Sequence, residues 1–113
     1  MESLENRIER LELYLELLLK VTDLESQPFY KLVISKNLNK KELAEVYSIC
    51  EELAKKYEEQ KKQGLIDFVP LLTQFVGQLP YKLNPHETIY ALQQQKLYPG
   101  LMDKLASLVR MVY

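Results

Sequence analysis

Leu4, Ile8, Leu11, Leu15 and Leu18 recur at steps of 4, 3, 4 and 3, the 3.5-residue period of a seam between helices packed lengthwise. Strands alternate with period two, so this segment reads as helix. In heptad terms Ile8 and Leu15 take a positions, and Leu4, Leu11 and Leu18 take d positions. Arg7 at g stands five residues before Glu12 at e, the relation that pairs charges between parallel strands. The five seam residues are the candidate oligomerisation site, joining two or three copies of the chain. Ile or Leu at a with Leu at d leans toward two strands, but a seam of three heptads leaves dimer and trimer open.

From Leu13 the segment changes character. Leu13, Tyr14, Leu17, Leu19 and Val21 add apolar side chains off the seam, and a helix apolar on most sides must be covered on most sides. The expected arrangement sets one face against a second copy and the other against the rest of the same domain.

The remaining chain supports the same fold class. Leu supplies 22 of the 113 residues, whereas Val, Ile and Thr together supply 15, too few to fill the strands of a sandwich or barrel. The expectation is a single all-α domain over residues 1–113, a bundle of five or six helices. Residues 1–25 form the coiled-coil-like helix and 26–113 the helical body.

Helix boundaries within the body can be read from their caps. Pro28 suits a first helical turn because its missing N–H has no partner to lose there, and Phe29, Leu32 and Val33 form the inner face of that helix, which reaches about Lys36. Asn39 and Glu42 have the spacing of a reciprocal capping box, flanked by Leu38 and Leu43 as a hydrophobic staple. The helix starting at Lys40 repeats Leu43, Val46, Cys50, Leu53 and Tyr57 and stops at Gly64, a left-handed cap. On its outer face Glu51, Glu52 and Glu58 stand four residues before Lys55, Lys56 and Lys62, the favourable order for helical ion pairs. Asp67 is the expected cap of a fourth helix, in which Pro70 lies in the first turn and Gly77 marks a close crossing. Asn84 and Glu87 form a second capping pair for a helix reaching about Lys96. A last helix begins at Pro99 and carries the stripe Leu101, Met102, Leu105, Leu108, Val109 and Val112.

Charge narrows the function classes. The net charge is −1, and the lysine doublets are interleaved with glutamates, so neither a nucleic acid nor an anionic membrane is an expected partner. The longest charge-free run, residues 68–81, holds Pro70, Gly77 and Pro80 and falls short of the roughly 18 residues of a membrane span. One cysteine, Cys50, excludes an internal disulfide, and the first seven residues carry acid before any apolar run. Both point to the cytoplasm.

Catalytic constellations are sparse. His86-Glu87 begins like a two-histidine zinc motif, but Tyr90 stands where the second ligand belongs. A Cys50–His86 dyad meets the objection that Cys50 sits in an apolar helical repeat, where cysteine behaves as a small hydrophobe. Tyr14, Tyr47 and Tyr57 lie beside apolar positions and read as core edges. No catalytic residue, metal or cofactor is expected, and the chain is not read as an enzyme.

Arg7-Ile8-Glu9-Arg10-Leu11-Glu12, Pro28-Phe29-Tyr30, Ile49-Cys50, Gly77-Gln78-Leu79, and Leu83, His86-Glu87-Thr88-Ile89, Ala91-Leu92 and Leu97-Tyr98 together resemble the YhaI-like family of small Bacillus-type proteins. The likeness spans nearly the whole chain and is most specific around His86. It implies an all-helical, cytosolic bacterial protein that forms homo-oligomers, and it supplies no active-site residues. The expected role is a homo-oligomeric structural or regulatory interaction module that binds itself and another cytosolic protein. The alternative is a small-molecule binder or enzyme with a pocket between the last three helices, using His86, Gln74 and Gln78.

Overall fold

A computed structural model describes residues 1–112; the side chain of Val112, the last member of the expected C-terminal stripe, lies outside the described part, as does Tyr113. Six α-helices and one 3-10 turn make up the described residues: α1 (Leu4–Val21), α2 (Pro28–Ser35), α3 (Lys40–Lys62), α4 (Val69–Gln78), α5 (Pro85–Gln94) and α6 (Pro99–Val112), with the turn at Leu24–Ser26. The expected all-helical bundle is what forms.

Local chemistry sets most boundaries. Asn39 accepts from the Glu42 amide at 2.8 Å while Glu42 accepts from the Asn39 amide at 2.9 Å, the reciprocal capping box expected at the start of α3. At its other end Gly64 adopts φ +78°. The Leu65 amide reaches back to the Gln60 carbonyl and the Gly64 amide to that of Lys61, a Schellman closure that satisfies two orphan carbonyls. The same closure ends α2 through Asn37 and α5 through Lys96, both left-handed at φ 58° and 61°.

Several boundaries depart from expectation. The first helix stops at Val21 rather than near residue 25, and Ser3 caps it by accepting from the Asn6 amide. Asp67 is not the N-cap of α4: Phe68 takes that position, and Asp67 Oδ1 accepts from the Val69 amide in a turn just ahead. Of the α5 pair, Asn84 accepts from the Glu87 amide, while the Glu87 carboxylate lies 3.8 Å from Lys36 Nζ. Of the α3 surface pairs, Glu52 meets Lys56 at 3.4 Å, but Glu58 meets Lys61 rather than Lys62, at 4.0 Å.

The core belongs to the body alone. Phe29 of α2, Val46, Cys50 and Leu53 of α3, Leu72 and Phe75 of α4, Ile89 and Leu92 of α5, and Leu101, Met102 and Leu105 of α6 form one buried cluster. Phe29 enters because α2 lies along α5 and is fixed there from a distance: Gln95 Oε1 accepts from the Phe29 and Tyr30 amides at 2.9 and 3.3 Å. Gln27, the N-cap of α2, makes no side-chain capping bond, so a residue 66 positions away from Phe29 does its work.

Gly77 does not mark a close crossing. A Cβ there would meet nothing within 4 Å, and the residue is solvent-exposed within α4. Its lack of a side chain therefore only adds conformational freedom to the unfolded chain. Gly77→Ala is expected to raise stability by about 0.5–1 kcal/mol, read as an upward shift in the thermal melting midpoint.

Candidate functional site

The seam residues do share one helical face, and nothing in their own chain covers it. Leu4, Ile8, Leu11, Leu15 and Leu18 are 46–68% exposed, and α1 contributes no buried residue. The expectation that its second face packs on the same domain is overturned: Leu13, Tyr14, Leu17, Leu19 and Val21 are exposed as well. Tyr14 is thus no core edge, whereas Tyr57 is buried and Tyr47 half-buried as expected. The reason is geometric. An 18-residue helix is about 27 Å long, and the molecule measures 62 × 25 × 24 Å, so α1 stands off the body along the long axis. The radius of gyration is 17.3 Å, against about 13 Å for a compact chain of this length.

One flank of the seam is charged. Glu5, Glu9, Glu12 and Glu16 follow one another at steps of 4, 3 and 4 and, at about 100° per residue, form a row turned by roughly 110° from the leucine seam. Arg7 and Glu12, the proposed pair between copies, are both exposed. Arg10 is engaged within the chain, donating to Glu2 at 2.7 Å.

The alternative site is only partly assembled. Val76, Asn84, Pro85, His86 and Val109 line a cleft of about 240 Å³ between α4, α5 and α6, where such a pocket was expected. Gln74 and Gln78 do not join it: Gln74 accepts from Lys56 at 3.1 Å, and Gln78 faces a surface groove with Glu45, Ser48, Ile49 and Glu52. Cys50 is absent from the cleft lining and is fully buried in the core, where desolvation pushes its thiol up to about 12. Nearby Tyr98, held at φ 49°, is pushed up to about 12 by burial first and by Cys50 and Glu51 next. No group of three or more His, Cys, Asp or Glu with metal-binding potential occurs among the described residues. No helix among them is long and apolar enough to cross a membrane.

One polar contact in the body escaped the sequence reading. Lys82, between α4 and α5, donates to Glu42 at 2.8 Å and to the Asn37 carbonyl at 3.0 Å. It clasps the α2–α3 corner through the carboxylate that also completes the capping box. The Lys82 hydrogen bond first, and the Asn39 amide next, hold the Glu42 carboxyl below its ordinary 4.5. The same bond raises Lys82 above 10.5. Because the folded Glu42 loses its proton more readily than the unfolded one, the clasp stabilises above the ordinary value and fades as pH falls through the lowered one. On the alkaline side the lysine's contribution is complete below 10.5 and is lost as pH rises through its raised value. Lys82→Met is therefore expected to flatten the acid limb of stability against pH below about 4.5, measured by urea denaturation at a series of pH values.

The fold and its bare helix define a class: an all-helical body carrying an apolar helix that its own chain leaves uncovered. The chain belongs to the family described as proteins of unknown function (DUF1878), whose family profile matches residues 1–110.

Proposed function

We propose that this protein is a homo-oligomeric interaction module of the bacterial cytoplasm, a YhaI-like protein whose α1 helices zip in parallel into a short coiled coil and whose bodies present helical surfaces to another cytosolic protein. Its role on this reading is to hold proteins together, not to catalyse a reaction. The observation that carries it is the state of α1: ten large apolar side chains, each at least 41% exposed, on one helix. Isolated apolar residues on a surface are ordinary, but a contiguous array of this size marks an interaction site. Covering the exposed part of each side chain is worth roughly 1 kcal/mol, and ten of them match the about 4–15 kcal/mol that association costs in lost freedom. Arg7 and Glu12 set the parallel orientation, with an exposed pair worth about 0–1 kcal/mol.

Light scattering behind a sizing column tests the reading directly. The expected mass is two or three times the 13.3 kDa chain, falling toward one chain on dilution. A single-chain mass at every concentration up to the solubility limit sinks it.

A further inference from the structure

We infer that in the assembly a second ridge of α1, formed by Tyr14, Leu17 and Val21, packs on the exposed Tyr30–Ile34 face of α2 in a neighbouring copy, so that each helix joins both a seam and a partner's body. This rests on the self-assembly proposed above and adds where the other half of the apolar helix goes.

The helix carries two seams. Tyr14, Leu17 and Val21 recur at steps of 3 and 4, the same period as the leucine seam, but their mean direction is turned by roughly 100° around the helix axis. Between the ridges Tyr14, Leu17, Leu18 and Val21 line a groove of about 430 Å³, with Leu18 supplied by the first seam. One partner helix lying along the first seam leaves this ridge in water. The area points the same way: by the helix's own dimensions a seam along α1 hides roughly 300–500 Å² per copy, short of the about 800 Å² that stable partners bury on each side. A second contact is required, and this ridge, unlike the isolated off-seam Leu13 and Leu19, is an apolar row on α1 that continues to the end joined to the body.

Chain connectivity names the occupant. The second ridge occupies only the last two turns of α1, the end joined to the body. In a parallel assembly the bodies gather at that end, and residues 22–27 bring α2 next after it in each copy. On α2, Tyr30 and Ile34 are one turn apart on one face and 44% and 50% exposed, while Phe29 is turned fully into the core. The α2 face of a neighbouring copy is thus the first apolar surface that the end of a zipped α1 meets. Ile66, although 91% exposed, lies in the connection after the 23-residue α3, not on α2, and has no part in the inferred contact.

The test compares dissociation constants from dilution series followed by light scattering, on the full chain. Ile34→Glu is expected to weaken assembly by at least about tenfold, Val21→Glu similarly, and the double variant no more than the stronger single one, because both remove one contact. Ile66→Glu is the control and is expected to leave assembly unchanged. Ile34 is exposed in the monomer, so its variant should keep the helical circular-dichroism spectrum and melting midpoint of the dilute protein. If Ile34→Glu assembles as tightly as Ile66→Glu, or if the two substitutions act independently, the ridge contact is wrong while the leucine seam stands. A wild-type protein that never exceeds one chain overturns both.

Discussion

Leu11→Lys is expected to elute as a single chain under conditions where, on the self-assembly proposed above, the wild-type protein elutes as an oligomer, and its body is expected to melt at the temperature of the dilute wild-type protein. Leu11 is the central d residue of the seam and is 57% exposed in the isolated chain. Nothing in the body loses a contact when it changes. In the proposed assembly every copy places this residue against its counterpart, so the substitution removes an apolar contact worth roughly 1 kcal/mol per copy and brings like charges together in a partly desolvated seam. A loss of affinity of at least about hundredfold follows, read from mass against concentration. Glu9→Lys, two residues away on the charged side of the same helix, is the matching control and should leave the mass unchanged. An oligomer mass that survives Leu11→Lys refutes the seam, whatever the assembly's true interface.

The separation between assembly and fold in that experiment reflects what the sequence does and does not encode locally. Capping chemistry acts over three or four residues. Asn39–Glu42, Pro28, Gly64, Asn84 and Pro99 were therefore legible from their order alone, and the helices begin or end where those residues stand. The leucine period was legible as one helical face for the same reason. Periodicity states that a face must be covered and is silent on which molecule covers it. For Leu13, Tyr14 and Leu17 the pattern equally suits a core helix, and only the position of α1 outside the body decides against one.

Contacts across the fold were not legible. Gln95 caps α2 from 66 residues away, and Lys82 reaches Glu42 across 40; no short-range rule distinguishes either from a solvated side chain. Gly77 failed in the opposite direction, because a helical glycine is equally compatible with a tight crossing and with open solvent. The alternative site shows the same limit. His86 does line a cleft, yet Gln74 and Gln78, one turn apart on α4, turn toward α3 and the surface instead.

Phe29→Ala is the complementary experiment, because it strikes the body and spares the seam. The ring is fully buried, lies 6.0 Å from the half-buried Tyr47 ring, and is the one side chain by which the eight-residue α2 enters the core completely. A buried Phe→Ala change costs about 3–5 kcal/mol through lost transfer energy and the cavity left behind. So short a helix has little intrinsic stability to retain its shape once released. The amides of Phe29 and Tyr30 lose their hold on Gln95 at the same time, since that bond requires α2 to lie against the end of α5. The expected result is a melting midpoint lowered by at least about 10 °C for a domain of this size, with faster amide exchange in α2 than in α3. Since Leu4 to Leu18 make no use of the ring, the variant should still associate below its own melting temperature. If α2 carries the second contact of each α1, that association is weaker than wild type but stronger than Leu11→Lys, an order of affinities that a body-independent coiled coil does not produce.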